Sequence, residues 1–455
     1  MMPRSMSFRS LVDLGWLYGG KASTVVVALV ALPWYQKLMG AETFGFVAVF
    51  LSIQAFLVLV DLGLTTVVHR EIAYQQTTDH DYQTLRAATF VLQFLYAAIL
   101  VLGVGCAALF SLEISLAELV SSIACFWAIT SQNVAQSALT ARRYFLVAGV
   151  NQTVGVLLRA AITIGAMIFV SPTIEVFLTA QAVTAVAHYL VTMWICVTVF
   201  GAKDHTSRIS LTLAKSLVAR GKPLVLFGIA GAAVLQLDKV ILALFEPSER
   251  VAAYYLASVL CLTPISILAA PIAQYFQPQI IAAIGRGDSD ESGRLLSQLT
   301  TMLIGIVGAL SSILWVWRES LVHLWLGGAA TAAEVSHYVG ILLPGVALGA
   351  LGYVPFTLLT AQQDYSFQAL LSGILTIVTL TLVVAVASLG GIAAVCWLYV
   401  AYHVTSAVVS WGRAIRLQPS DRPRHATWAA QLAVKQLMVL AGMSVAVVFL
   451  RNIVS

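Results

Sequence analysis

Twelve times in succession the chain runs for about 20 residues, the length a helix needs to cross a bilayer's hydrocarbon, with hardly a charge. These runs are Leu14–Lys37, Phe44–Val68, Ala87–Ser111, Leu119–Leu139, Leu146–Val170, Val176–Phe200, Pro223–Glu246, Val251–Gln277, Leu296–Trp317, Val339–Thr360, Phe367–Leu389 and Ile392–Trp411. In lipid a backbone must satisfy its own polar groups within the segment, and runs of this length do so as helices. A thirteenth run, Trp428–Leu450, is weaker because it contains Lys435 and Gln436. Composition agrees. Residues are 60% hydrophobic and only 10% charged, whereas a soluble domain carries about 25% charged residues. A soluble enzyme, a nucleic-acid binder and a secreted disulfide scaffold are thereby excluded. Cys106, Cys125, Cys196, Cys261 and Cys396 all lie in apolar runs without CxxC or Cys/His spacing, so neither disulfides nor zinc are expected.

Orientation follows from the connections, since Lys and Arg accumulate on the cytoplasmic side. With the N-terminus inside, 17 basic residues fall in inside segments. Lys37, Arg250 and Arg318 fall outside, joined by Arg451 if the thirteenth run spans. The net charge of +5 needs no anionic partner beyond this asymmetry. The first run is too long for a signal peptide's core and no small-residue cleavage site follows it, so it reads as an uncleaved first helix. The expected location is a bacterial inner membrane, with loops 70–86, 201–222 and 413–425 in the cytoplasm.

The longest connection, Gly201–Lys222, divides six runs from six. Within it Leu211, Leu213, Leu217 and Val218 alternate with Lys215 and Arg220, which reads as an amphipathic helix on the cytoplasmic surface or as a plain solvated linker. A weak repeat supports two halves. Leu38–Ala48 after the first run and Phe245–Tyr255 after the seventh each give a short turn, a Glu (Glu42, Glu249), a small residue three places on and a new apolar helix. The expected fold is all-α: two six-helix lobes related by a pseudo-twofold, about twelve transmembrane helices, and an extra C-terminal hydrophobic helix. The expected domains are an N-lobe over 1–200, the linker over 201–222, a C-lobe over 223–416 and the extra helix over 417–455. Duplicated lobes of this kind place a substrate between the halves.

Ionisable groups at membrane depth cost roughly 2.5–3.5 kcal/mol each on insertion scales and usually face a cavity or a partner. They are few here: Lys21 in the first run, Asp61 in the second, Arg159 near the middle of the fifth, Asp238 and Lys239 in the seventh, and His188 and His403. Three cations converging on one cavity suit an anionic substrate, because ammonium and guanidinium bind phosphate oxygens strongly. Against this stands neutralisation by Asp61 and Asp238 as interhelical pairs. Arg159 is the best single candidate, having no acid nearby on its own helix. Adjacent Asp238 and Lys239 point to different helix faces and are expected to need separate partners. The histidines would carry protons or serve as packing residues. Ser131, Gln132, Asn133 and Gln136 in the fourth run, with Asn151 and Gln152 in the fifth, would bind hydroxyl-rich ligands or act as interhelical glue. Tyr275 and Phe276 read as an aromatic belt. No catalytic triad, P-loop or metal motif occurs, so no cofactor and no enzymatic activity are expected.

Val60-Asp61-Leu62-Gly63-Leu64, followed by His69-Arg70-Glu71-Ile72-Ala73, resembles the stretch after the second helix of polysaccharide-repeat flippases, the Wzx-type members of the MOP exporter superfamily. Leu237-Asp238-Lys239-Val240, then Glu249 and Tyr254-Tyr255, resembles their seventh and eighth helices. Ala270-Pro271 to Gln277-Pro278 with the Gly287-Asp288 loop resembles the next segment. The resemblance implies a central cationic cavity alternating between inward- and outward-open states. It implies as substrate an undecaprenyl-pyrophosphate-linked oligosaccharide repeat, of O-antigen or exopolysaccharide type, flipped to the periplasmic leaflet. Lys21, Arg159 and Lys239 would hold pyrophosphate and acidic sugars, while Asp61 and Asp238 would set local charge or couple an ion. Partners would be membrane lipids, a polysaccharide polymerase and a chain-length regulator, with no nucleic acid. Two other readings stay open: a multidrug/cation antiporter of the same superfamily, and a non-transporting subunit of a polysaccharide assembly complex.

Overall fold

The computed structural model describes residues 8–59, 61–75, 78–109, 114–200, 210–328 and 330–417, with 427, 429–435 and 438. Helices make up most of the described backbone, and no strand occurs among the described residues. The chain divides into two compact units, Met1–Leu237 and Asp238–Ser455. Among the described residues, eight helices are long and apolar enough to cross a membrane by length and composition.

In the first unit the helices are α1 (Phe8–Leu59), α2 (Leu64–Gln75), α3 (Thr78–Leu109), α4 (Leu116–Ala141), α5 (Phe145–Phe169) and α6 (Ile174–Phe200), with most of α7 (Leu211–Leu242). The first two apolar runs both lie in α1, which breaks at Gly40 (φ 79°, ψ 163°), a backbone state open to glycine. α4 starts on a capping box: Glu118 N–H donates to Ser115 Oγ (3.1 Å) and Ser115 N–H to the Glu118 carboxylate (2.9 Å). The core is apolar and close, with Phe44, Phe177, Leu92 and Leu139 fully buried. α1 meets α5 at backbone distance: a Cβ on Gly20 would lie 3.1 Å from the Gly149 Cα. Small residues of this kind let helices approach where lipid supplies no hydrophobic drive.

The second unit contains α8 (Ser248–Gly285), α9 (Ser289–Leu303), α10 (Ala309–Val316), α11 (Arg318–Leu326), α12 (Ala332–Ala350), α13 (Tyr353–Ala361) and α14 (Tyr365–Arg416). A π-turn, Ile304–Gly308, joins α9 to α10. α14 holds the last two of the twelve runs and breaks at Gly391 (φ 66°, ψ −171°). α12 packs on α14 so closely that a Cβ on Gly345 would lie 2.8 Å from the Val400 Cα.

The two units share a turn. Leu139-Thr140-Ala141 closes α4 and Leu359-Thr360-Ala361 closes α13, 220 positions later. After each, Arg142 (φ −84°, ψ 5°) matches Gln362 (φ −88°, ψ 0°). Arg143 (φ 63°) and Gln363 (φ 58°) are both left-handed. Tyr144 (φ −81°, ψ 54°) matches Asp364 (φ −83°, ψ 52°). The amides of Tyr144 and Asp364 donate to the Leu139 and Leu359 carbonyls at 3.0 Å each. Left-handed non-glycine residues are uncommon, so the coincidence marks the same helix–turn–helix built twice.

Two boundaries and one side-chain placement differ from the sequence reading. The second run ends at Leu59, not Val68, because Asp61 turns the chain. Its carboxylate accepts from the Gly63 N–H (2.9 Å) and the Thr65 N–H (2.8 Å), opening α2. Ser210–Arg220 is no separate surface helix: from Leu211 it is continuous with the seventh run as α7. Its apolar face is real, with Ala214 and Leu217 buried while Leu211 stays exposed. Phe276 is buried rather than belted, whereas Tyr275 is exposed. Residues 201–209 and most of the Trp428–Leu450 run lie outside the described residues.

Candidate functional site

The first unit carries a polar seam through its apolar interior. Ser23 Oγ lies 3.1 Å from Thr153 Oγ1. Gln132 donates to Gln152 Oε1 (3.0 Å), and Gln152 donates to Thr24 Oγ1 (3.2 Å). Asn151 donates to Thr192 Oγ1 (2.8 Å), and Gln136 to the Ala148 carbonyl (2.6 Å). These bonds tie α1, α4, α5 and α6 together. Gln132, Gln136, Asn151 and Gln152 thus act as interhelical glue, each bond contributing about 0.6–2 kcal/mol in a membrane.

Arg159 stands apart from that seam. It lies 14 residues into α5, roughly 21 Å from the helix start at 1.5 Å per residue. It is half-buried. No carboxylate lies within ion-pair distance of it among the described residues. Its charge is felt by Tyr35 on α1, Cys125 on α4 and His188 on α6. One turn away the His188 ring lies directly on Gly155, where any side chain would collide with it. His188 Nε2 is buried without a hydrogen-bond partner among the described residues. Arg159, His188, Asn151 and Thr184 share a cavity of about 510 Å³ between α5 and α6, otherwise walled by aliphatic side chains and Gly155.

Lys21 sits on α1 beside the Gly20–Gly149 contact, and its side chain lies outside the described residues. Gly149 and Arg159 are ten residues apart on α5, so Lys21's backbone is about 15 Å from Arg159's level.

Asp61 is occupied in capping α2 and is buried. Its turn has a further contact: a Cβ on Gly221 of α7 would collide with the Leu62 carbonyl. Beside it Arg220 pairs with Glu71 at 2.5 Å. The DLG stretch is thus held by its own cap and by the start of α7.

In the second unit, Asp238 and Lys239 pair with each other, at 3.0 Å between Oδ1 and Nζ. This corrects the expectation that they need separate partners. Backbone positions one apart diverge on a helix, but the lysine's four-carbon stem swings its ammonium back. Both are sealed in, at 0% and 3% exposed. Tyr254 donates to Asp238 Oδ2 at 2.6 Å, and Tyr399 also hydrogen-bonds to that carboxylate. Lys239 Nζ sits 5.7 Å above the Tyr254 ring. The charge of Lys239 is thus balanced locally. His403 lies on Gly349, where an added Cβ would again meet the imidazole ring. Neither Tyr399 nor the two glycines under histidines stood out in the sequence. A Gly in a transmembrane helix is common, and its signal is spatial.

Among the described residues the geometry offers one unbalanced cation at mid-depth, Arg159, and one balanced pair, Asp238–Lys239. Among the same residues no cluster of three or more His, Cys, Asp or Glu side chains fit to hold a metal occurs.

Comparison with known proteins agrees in kind. The model of a family of polysaccharide biosynthesis proteins matches residues 10–280. No curated protein matches the sequence. The fold is similar to that of a multidrug resistance MATE family transporter of the MOP superfamily in its inward-facing conformation (TM-score 0.66, 14% identity, 86% of this chain and 94% of that one). It is also similar to a MOP superfamily transporter from Pyrococcus furiosus Vc1, described with a binding pocket of reverse polarity suggesting a different function (TM-score 0.61, 14% identity, 88% and 93%). A third similar structure is a mutant of the MATE transporter VcmN of Vibrio cholerae (TM-score 0.60, 12% identity, 90% and 96%).

Proposed function

This chain belongs to the family of polysaccharide biosynthesis proteins, and from that membership we propose that it is a flippase, not an enzyme. It moves undecaprenyl-pyrophosphate-linked oligosaccharide repeats, of O-antigen or exopolysaccharide type, from the cytoplasmic to the periplasmic leaflet of a bacterial inner membrane by alternating access. Its N-terminus is cytoplasmic, a reading supported by the basic connections.

The observation that carries the reading is Arg159: a guanidinium at mid-depth with no described carboxylate beside it. Such a charge is tolerable only beside water or an anion. A pyrophosphate accepts its planar fork bidentately. In this reading Lys21 adds a second cation nearer one end of the membrane. Asp238 sets the charge available from Lys239. Lys239 is the third cation that this reading assigns to the anionic groups of the substrate. Asp61 acts by shaping the DLG turn rather than by carrying an ion.

A multidrug/cation antiporter is the second reading, favoured by the fold shared with MATE transporters. An unbalanced cation at mid-depth repels the cationic drugs such a protein would carry.

The test is Arg159→Ala and Arg159→Lys in cells whose surface polysaccharide depends on this gene. The reading requires that the alanine protein accumulate in the membrane yet export no polysaccharide. The lysine protein should export part of it, because charge survives without the fork. Full export by Arg159→Ala would remove Arg159 from the site.

A further inference from the structure

The α5–α6 cavity has a shape that the flippase reading does not require. Leu146, Val150, Val154, Leu158 and Ile162 recur every four residues along α5, and all are exposed. Residues four apart are neighbours on a helix surface, so these form one continuous aliphatic ridge that winds obliquely along α5. The parallel row inside it is Val147, Asn151, Gly155 and Arg159, small at its centre. From α6, Ala187, Val191 and Ile195 make the opposite wall. Between ridge and wall runs an open apolar groove with Arg159 in its floor and the unpartnered His188 Nε2 beside it.

An apolar channel with one cation in it complements an anion joined to a hydrocarbon chain. Depth chooses among such molecules. Resident phospholipids hold their phosphates at the surface of a hydrocarbon layer about 30 Å thick. Arg159, roughly 21 Å from the start of a 25-residue helix, lies within that layer. Only a lipid whose phosphate is being carried across brings its charge there.

We propose that the α5–α6 groove is a lipid-chain site of the first unit, holding the pyrophosphate-proximal part of a polyprenyl chain while Arg159 holds the pyrophosphate. The chain then travels on a surface of one unit rather than lying wholly in bulk lipid. The proposal rests on the flippase reading for its substrate.

The test uses the full-length protein in phosphatidylethanolamine nanodiscs. The probe is a polyprenyl pyrophosphate with a photoreactive diazirine in its first isoprene units, and labelled peptides are mapped by mass spectrometry. Label should fall on 150–162 and 187–195. Unlabelled polyprenyl pyrophosphate should displace it, and phosphatidic acid should not. Arg159→Gln should lower labelling by about 10-fold or more, as expected for loss of a charge-assisted hydrogen bond, and Arg159→Lys by less. Val154→Trp fills the groove from an exposed ridge position, so it should abolish labelling in a protein that still folds, whatever becomes of the arginine variants. Displaceable label confined to other helices would overturn the groove while leaving the flippase reading standing. Equal displacement by phosphatidic acid would make the occupant an ordinary lipid and overturn the proposal. Absence of displaceable label anywhere on the chain would overturn both.

Discussion

Asp238→Ala should destabilise the second unit sharply, and Lys239→Met added to it should restore much of the loss. In the native protein both charges are buried and 3.0 Å apart. Removing the carboxylate deletes the ammonium's counter-charge, and breaking a buried pair by deleting one partner costs about 3–5 kcal/mol. Tyr254 also loses its 2.6 Å acceptor, worth about 1–3 kcal/mol if the hydroxyl stays dry. The two costs overlap, so the single variant should lose about 4–6 kcal/mol. At about 2–4 °C per kcal/mol for a unit of this size, that is a melting shift of roughly 8–24 °C. The double variant carries no buried charge without its counter-charge, and an apolar replacement of both partners is often close to neutral; what remains is the acceptor lost to Tyr254 and Tyr399. The assay is thermal unfolding of detergent-purified protein, followed by tryptophan fluorescence. With Lys239→Met alone completing the cycle, a coupling energy under about 1 kcal/mol, the range of exposed pairs, would refute the buried-pair reasoning. Export adds a second reading of the same proteins. The double variant, stable but without the lysine charge, should export little polysaccharide; full export would remove Lys239 from the mechanism.

Other perturbations test single contacts. Gly221→Val drives a side chain into the Leu62 carbonyl; it should lower membrane accumulation, while Leu211→Ala, at an exposed position of the same helix, should not. Asp61→Ala removes the acceptor for two amides and should cost about 0.5–2 kcal/mol in thermal unfolding. Asp61→Ser should recover part of that loss, whereas an ion-coupling role would leave Asp61→Ser inactive in export. Cysteines placed at the α2–α3 connection and just beyond the end of α14 should resist an impermeant thiol reagent in intact cells and react once the cells are opened; labelling in intact cells would reverse the topology.

The helices were legible because an apolar run of membrane length has few alternatives. Even the glycine breaks at Gly40 and Gly391 fall at or beside the gaps between the runs as read from the sequence. Asp61 was misplaced because Val60, Leu62 and Leu64 disguise a helix end as membrane interior, and a cap is recognised only by which amides its carboxylate meets. The Asp238–Lys239 pair was hidden by a helical-wheel argument that tracks Cβ directions and ignores how far a lysine reaches. The repeated Leu-Thr-Ala turn went unseen because three common residues carry no signal against an apolar background, while two left-handed residues 220 positions apart do. Arg159 was readable for the opposite reason: a lone charge in a long apolar run is conspicuous before any coordinates exist.

The central claim is transport of a lipid-linked oligosaccharide, and reconstitution tests it most directly. Proteoliposomes carrying a fluorescent polyprenyl-pyrophosphate oligosaccharide in both leaflets would be exposed to a membrane-impermeant quencher. With the purified protein, the account predicts that the quenched fraction rises from about half toward completion, in native but not in Arg159→Ala vesicles. Quenching that stays at half, in vesicles where the same protein accumulates a cationic dye, would contradict the account and leave the antiporter reading in its place.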